Sequence, residues 1–164
     1  MHYNSLTGGP APDHTSIRFR LDDSVSQEAF LQPWANPSWL VGDTMLIPAA
    51  TSDVRHSFGQ DPTVWFSGGK SIQLHSVGLH MHQLGKTARL SIQRADAGET
   101  CLLDIPEWDF HWQGGYGFKS PVTLNPGDRL FLECSWDNPT MSDVTWGEGT
   151  GDEMCLGVFY YTVP

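Results

Sequence analysis

Basic residues are scarce in this sequence. Nine Lys and Arg stand against nineteen Asp and Glu among 164 residues, which gives a formal net charge of -10 at pH 7. A chain with this charge repels a phosphate backbone and offers no basic patch that nucleic acid could neutralise. We therefore expect no nucleic-acid partner and no membrane partner.

Long apolar runs are also absent. No stretch approaches the roughly 20 apolar residues that a membrane-spanning helix needs. The first residues, Met1 to Asn4, lack the basic segment followed by an apolar segment that marks a signal peptide. From these features we expect a soluble chain without a signal peptide of its own.

Little in the sequence favours helices. Only 17% of the residues are charged, whereas Gly, Pro and Trp number 17, 11 and 7, a composition typical of short strands joined by turns. One helical turn is expected around residues 26–30, before Pro33 and Pro37. The prediction is a single all-β domain over residues 1–164, an antiparallel jelly-roll-like β-sandwich.

Apolar periodicity predicts the individual strands. Ile17, Phe19 and Leu21 alternate with arginines after Thr15, which predicts a first strand with one buried face. Gly, Pro and Asp signals separate the later segments. The later predicted strands are residues 44–47, 63–66, 71–82, 87–93, 121–124, 129–136 and 156–163.

Two histidines, His80 and His82, end the predicted strand 71–82. Residues i and i+2 of a strand point to the same side, and Leu79 and Met81 belong to the apolar side, so both histidines should face away from the core. Two imidazoles placed in this way can chelate one copper, zinc, iron or nickel ion, but a third ligand is needed. The same alternation puts on the histidine side Ile72, Leu74, Ser76 and Gly78.

Other interpretations of the histidine pair stay open at this point. The pair alone is equally consistent with solvated polar residues on an exposed strand. A cupin also carries His-x-His on a jelly-roll strand, but with a glutamate shortly after it, where Lys86 and Thr87 stand here. A jelly-roll ligand-binding module with incidental histidines is a further alternative.

Several segments together resemble one enzyme family. They are the His-x-His run 80–86, the Pro-Gly-Asp turn 126–128, the run 134–138, and the glycine-spaced run 146–155 that ends in Asp-Glu-Met-Cys. In this order they resemble the C-terminal domain of the copper type II, ascorbate-dependent monooxygenases, the family of peptidylglycine α-hydroxylating monooxygenase and dopamine β-monooxygenase. The combination of Asp-Glu-Met-Cys with His-x-His is specific.

The resemblance implies a copper site and a reaction. It makes His80, His82 and Met154 the ligands of the copper at which dioxygen and substrate meet. A thioether favours Cu(I) and imidazole serves both Cu(I) and Cu(II), so the set suits a copper that is reduced before it meets oxygen, and zinc would not require the methionine. The implied reaction hydroxylates a C–H bond of a small substrate, with ascorbate as electron donor. Without the resemblance, Met154 would be assigned to the core.

The resemblance also pairs two of the three cysteines. It implies a disulfide between Cys134 and Cys155, which would fix the backbone beside Met154. A disulfide indicates an oxidising compartment, so the protein is expected to be secreted, extracellular or periplasmic. Cys101 is left over, and we expect a small buried thiol there, with an intermolecular bridge as the alternative.

Complete members of the family have a second copper domain at the N-terminus, which relays electrons from ascorbate. His2 matches one ligand of that second copper, whereas the family's upstream histidine pair has no counterpart here. Residues 1–14 are therefore expected to be the junction to an N-terminal copper domain of the same protein, in a piece of a longer protein or a single-domain relative. The chain alone should be inactive. A non-catalytic copper-binding or copper-delivery domain is the alternative.

The predicted substrate pocket departs from the family's best-known pattern. The peptide-amidating member holds a peptide carboxylate with arginine, asparagine and tyrosine side chains, and Gly78, Leu156 and Val158 stand at those positions here. This difference argues against a peptidylglycine substrate and allows a more apolar one. Trp146 and Tyr160 complete the predicted pocket.

Overall fold

Two four-stranded antiparallel sheets make up most of the structure, a computed structural model that describes residues 12, 14–42, 44–96 and 98–164. Within these residues there are eight strands and two short helices. The strands are β1 (Ala29–Trp34), β2 (Thr51–Gln60), β3 (Ile72–His80), β4 (Gly85–Gln93), β5 (Glu99–Ile105), β6 (Gly115–Leu124), β7 (Arg129–Asn138) and β8 (Leu156–Thr162). The helices are α1 (Pro37–Val41) and α2 (Thr63–Phe66).

The strand order identifies the topology. One sheet has the order β1-β8-β3-β6 and the other has the order β2-β7-β4-β5. The chain crosses between the sheets at every connection except β4 to β5, and the first and last strands are neighbours. This is the arrangement of an eight-stranded jelly roll built from two Greek keys. The prediction of an all-β jelly-roll sandwich is confirmed.

Large apolar side chains from both sheets fill the space between them. Trp34 and Phe159 come from one sheet, Leu132 and Trp136 come from the other, and each is at most 1% exposed. The indole Nε1 of Trp34 donates a hydrogen bond of 3.1 Å to the carbonyl oxygen of Leu130 on the facing sheet. The bond satisfies the one polar group of this buried ring and ties the two sheets together.

The predicted first strand at residues 15–21 is wrong. Ile17, Phe19 and Leu21 are 74%, 76% and 89% exposed, and their segment has no regular structure. An alternating segment forms a strand with a buried face only where it can pair with a neighbouring strand. The edge position beside β8 is occupied by β1 and not by residues 15–21. β1 also overlaps the helical turn predicted at residues 26–30, which is wrong too. Pro33 is tolerated within β1 because β1 lies at the edge of its sheet.

Residues 63–66 form the helix α2 and not the predicted strand. Oδ1 of Asp61 accepts hydrogen bonds from the backbone N and the Oγ1 of Thr63, at 2.8 and 2.7 Å. The bond to the backbone N satisfies one of the N–H groups that the first turn of a helix leaves without a partner, and the φ of Pro62, -72°, suits the start of a helix. Neither described helix has the length and apolar character to span a membrane.

One further strand prediction is inaccurate, and two strands were missed. At residues 44–47 only Ile47 pairs, in an isolated bridge with Val144. β2 and β5 were not predicted, because most of their side chains are exposed or half-buried and carry little apolar periodicity. Edge positions in the second sheet allow this composition, since β2 and β5 each pair with one neighbour.

A β-bulge near His75 changes which side chains of β3 face the core. The register shifts between Leu74 and Ser76 against both neighbouring strands. Ile72 and Leu74 are fully buried before the bulge, and Val77 is buried after it. An extra residue reverses the alternation, so the prediction that Ile72 and Leu74 share the side of the metal histidines is wrong.

The carboxylate of Asp128 organises the turn between β6 and β7. It accepts hydrogen bonds from the backbone N–H groups of Asn125 and Ala95 at 2.9 and 3.0 Å, and it pairs with Arg94 at 2.9 Å. Burial raises the pKa of this carboxyl, but the two N–H donors and the guanidinium together outweigh burial and lower the pKa below its ordinary value.

Replacing Asp128 by asparagine should destabilise the fold by about 2 kcal/mol at pH 7, because hydrogen bonds to a charged acceptor are lost. A lowered pKa in the folded state means that the charge stabilises above the unfolded pKa of about 4 and that this stabilisation is lost as pH falls through the folded pKa. Urea unfolding at several pH values should show that the difference in unfolding free energy between the parent protein and the Asp128 variant becomes smaller below about pH 4. Asp104→Asn on an exposed carboxyl is the control. A difference that stays constant with pH would refute this role.

Candidate metal centre

The structure brings His80, His82 and Met154 together around one cavity of about 490 Å³. His80 ends β3, His82 follows two residues later, and Met154 lies two residues before β8. β3 and β8 are neighbours, with His80 opposite Leu156. The two imidazole rings have centroids 5.0 Å apart. The adjacent strand ends therefore deliver all three predicted ligands to the same place.

The tautomer of His80 follows from its contact with Gln113. Nδ1 of His80 lies 2.6 Å from Oε1 of Gln113. Nε2 of the same amide donates to the carbonyl oxygen of Phe110 at 2.7 Å, which fixes the amide with its oxygen toward His80. An amide oxygen only accepts, so Nδ1 carries the proton and the ring's lone pair is on Nε2.

His82 has the same tautomer for an independent reason. Its Nδ1 lies 2.8 Å from the backbone carbonyl oxygen of Asp152, which can only accept. The side chain of Asp152 is itself held by the backbone N–H of Gly149 at 2.9 Å. A Cβ at Gly147 would collide with this carboxylate, so glycine is required there. The lone pair of His82 is therefore also on Nε2.

The buried carboxylate of Glu153 joins the two ligand segments. It is 1% exposed. Oε2 accepts from the backbone N of His82 and from Nε1 of Trp136, both at 2.9 Å, and from the backbone N of Met154 at 3.3 Å. Oε1 accepts from the backbone N of Leu84 at 2.7 Å. One side chain thus fixes the backbone beside the second histidine and beside the methionine.

A disulfide between Cys134 and Cys155 fixes the methionine segment from its other side. The Cα atoms are 5.9 Å apart, and the sequence separation is 21 residues. The bridge connects β7 to the residue next to Met154, and the predicted pairing is confirmed. Cys101 is exposed, so the prediction of a buried thiol is wrong. It lies on β5, an edge strand whose side chains are mostly exposed or half-buried.

Removing the bridge with Cys134→Ser and Cys155→Ser should cost about 3 kcal/mol of folding free energy, because a closed loop of this length restricts the unfolded chain. Copper affinity should fall as well, since the backbone next to Met154 loses one anchor. Urea unfolding and a copper titration measure the two effects. Cys101→Ser should change neither. Unchanged stability in the double variant would contradict this account of the bridge.

The donor set distinguishes among metals. Within the chain as described, no group of three or more His, Cys, Asp or Glu side chains could hold a metal ion. The cavity does bring the thioether of Met154 beside the imidazoles of His80 and His82. Two imidazoles and one soft neutral sulfur suit Cu(I), whereas zinc favours thiolate, imidazole or carboxylate. The residues present fit copper.

The predicted pocket residues divide between two neighbouring depressions. Leu156 lines the metal cavity. Gly78, Val158 and Tyr160 line a second, open groove of about 340 Å³. His80 lines both, so the groove begins at a predicted metal ligand.

Two predicted site residues are not placed at the cavity. Trp146 lines neither depression, because its ring stacks on Trp39 with a centroid distance of 6.4 Å and packs against the core. The structure therefore does not bring Trp146 together with the other predicted pocket residues. His2, and with it most of the predicted junction at residues 1–14, lies outside the described residues.

Sequence reasoning did not identify Gln113, Glu153 or the carbonyl of Asp152 as site groups. Gln113 lies in an irregular polar segment 33 residues from its partner His80, and no periodicity marks it. A sequence signal for Glu153 did exist, because this acidic residue stands directly before Met154 and a bridged cysteine. A carboxylate buried at such a position must accept hydrogen bonds.

Comparison with known proteins identifies the family. The model of "Copper type II ascorbate-dependent monooxygenase, C-terminal domain" matches residues 40–164. The chain belongs to this family. The resemblance inferred from the sequence motifs is thereby confirmed.

Individual relatives agree with this assignment. DBH-like monooxygenase protein 1 of Homo sapiens is 33% identical over 91 residues, which cover 55% of this chain and 15% of the relative. The Gallus gallus protein of the same name is 32% identical over 91 residues, with the same coverage of 55% and 15%. MOXD1 homolog 1 of Drosophila melanogaster is 25% identical over 165 residues, 98% of this chain and 23% of the relative. The chain spans less than a quarter of the length of these relatives.

Proposed function

We propose that this chain is the oxygen- and substrate-binding copper domain of an ascorbate-dependent monooxygenase that hydroxylates a C–H bond of a small substrate. His80, His82 and Met154 hold one copper ion in this proposal. The observation that carries it is that Nδ1 of each histidine faces an oxygen that can only accept a hydrogen bond, and that both histidines line one cavity with the methionine. Membership of the monooxygenase family supports the reaction class.

The protein's own groups orient the ligands. Gln113 and the carbonyl of Asp152 hold the two rings through Nδ1, which leaves Nε2 of each ring as the donor atom for a metal. The ring of Phe110 meets His82 edge-on at 6.3 Å and covers one side of the cavity. When bound, copper supplies the redox chemistry that activates dioxygen. The chain prepares for this step by fixing the ligands in advance.

The rest of the electron path belongs to the same proposal. A second copper in an N-terminal domain of the same protein would pass on electrons from ascorbate, and dioxygen and a small molecule are the partners of this chain. The disulfide supports an oxidising compartment, extracellular or periplasmic. Without the second domain we expect the isolated chain to bind copper and to turn over no substrate.

Metal analysis after copper loading tests the proposal. We expect one copper per chain in the Cys101→Ser protein, which removes the exposed thiol as a competing Cu(I) ligand. His80→Ala should lose this copper, and His75→Ala on the same strand should keep it. No copper uptake at micromolar metal would contradict the site. In the longer protein that contains this chain, ascorbate-driven oxygen consumption with a hydroxylated product distinguishes an enzyme from a copper-delivery domain.

Replacing Gln113 by alanine should weaken copper binding by about 10- to 100-fold, as does the loss of other partners that orient a metal-bound imidazole. The fold should remain intact, because Gln113 is exposed. A competitive titration against a copper chelator measures the change. Gln83→Ala, an exposed glutamine next to His82, is the matched control. Equal affinities in the two variants would mean that Gln113 does not orient His80.

A further inference from the structure

The open groove beside the metal cavity runs along β3 and β8, away from His80. On β3 the side chains that face outward are those of Ser76 and His80, with Gly78 between them. Gly78 is opposite Val158 of β8, and Ser76 is opposite Tyr160. From the row of His80 to the row of Ser76 is four residues, or about 13 Å along an extended strand.

Glycines form the floor of the groove. Gly78 is opposite Gly115 on β6 as well as Val158 on β8, so the middle row carries one side chain across three strands. A Cβ at Gly115 would meet no atom within 4 Å, which means that the space above it is open. Leu31 of β1 is opposite Tyr160 and closes the outer end. The floor of the groove carries no side chains at these glycines, and apolar side chains form the sides of the groove.

The described residues that line the groove include no permanently charged side chain, because none of them is Asp, Glu, Lys or Arg. Its strongest polar groups at the metal end, His80 and Gln113, already bond to each other. Leu31 and Tyr160 are 68% and 41% exposed, so an apolar surface faces solvent at the far end. A charged group lying in this groove would lose water and gain no partner, which is unfavourable.

We infer that the groove binds the substrate through an uncharged, extended apolar segment, with one end of the molecule at His80. The substrate class is therefore a hydrophobic small molecule whose segment in the groove is not held by an ion pair. The inference rests on the proposed function, because His80 is a copper ligand there. The apolar sides formed by Leu31, Val158 and Tyr160 supply the binding energy, and the glycine floor supplies the room.

Ligand binding to the copper-free chain tests the inference separately from the metal. The probes are octanol, octanoate and octylammonium, followed by backbone amide chemical shifts. Octanol should bind saturably, with the largest shifts at Gly78, Gly115 and Val158, and at least as tightly as either charged probe. A charged probe that binds ten times more tightly than octanol would overturn the uncharged class. No saturable binding of octanol, or shifts confined to another surface, would overturn the groove.

One variant fills the groove without disturbing the fold. Gly115→Val places a β-branched side chain in the open space above a strand, where the residue type is favoured and no atom is in the way. Octanol affinity should fall by roughly tenfold or more. Lys119→Val adds an apolar side chain four residues further along β6 and should leave the affinity unchanged. Equal octanol affinity in the Gly115 variant and the wild type would contradict the inference.

Copper loading of the same proteins separates the two proposals. In the Cys101→Ser background, Gly115→Val should take up one copper like its parent, because Gly115 does not line the metal cavity. Failure of copper binding in the wild type would refute the proposed function and leave the octanol result valid. Normal copper binding with no octanol binding would refute the groove alone.

Discussion

Met154→Leu is expected to lower the affinity for Cu(I) by at least about 100-fold, the upper end of what the loss of a ligand-orienting partner costs. Leucine has nearly the shape of methionine but no sulfur, so the free energy of unfolding should change by less than about 1.5 kcal/mol. Of the three proposed ligands, the cavity would then keep only the two imidazoles of His80 and His82. A competitive titration with a Cu(I) chelator, in the Cys101→Ser background, measures the loss.

The chain contains a matched control for this substitution. Met141 is 88% exposed and does not line the metal cavity. Met141→Leu should therefore keep the Cu(I) affinity of the parent protein. Equal losses in the Met141 and Met154 variants, or no loss in either, would exclude the thioether of Met154 as a ligand.

Glu153→Ala should destabilise the fold by about 4 kcal/mol, because it leaves buried N–H donors without their acceptor. The donors are the backbone N–H groups of His82 and Leu84 and the indole of Trp136. A domain of this size has a total stability of roughly 5–15 kcal/mol, so the loss is a large part of it. Urea unfolding of the metal-free variant measures the change.

Two companion variants make this result specific. Glu107→Ala removes an exposed carboxylate and should stay within about 0.5 kcal/mol of the parent protein. Glu153→Gln keeps the size and one acceptor oxygen of Glu153, so it should lose less stability than the alanine variant. An alanine variant as stable as Glu107→Ala would show that the carboxylate does not hold the two ligand segments.

The candidate ligands were proposed from two short motifs, and Met154 was assigned only through the resemblance to a known family. His80 and His82 are two residues apart, and Met154 lies beside Cys155, which forms the confirmed disulfide. These motifs can be recognised without knowing where each strand begins and ends. The residues that orient the ligands were not predictable in this way. Gln113 reaches His80 only through the packing of a loop against a strand end.

The fold class was predictable and several of its details were not. Turn residues and apolar runs located β3, β4, β7 and β8 nearly to their ends. Alternation at residues 15–21 carried no information about a partner strand, and the bulge near His75 reversed the alternation within β3. In both cases the deciding factor is a pairing between distant segments, which local patterns do not contain.

X-ray absorption of the Cu(I)-loaded Cys101→Ser chain tests the central claim most directly. We predict one sulfur and two imidazole nitrogens around the copper, with the sulfur lost in Met154→Leu. With Cys101 replaced and the other two cysteines bridged, the remaining sulfur donors are thioethers. A spectrum with nitrogen and oxygen neighbours only, or a sulfur signal that survives in Met154→Leu, would contradict a copper site at His80, His82 and Met154.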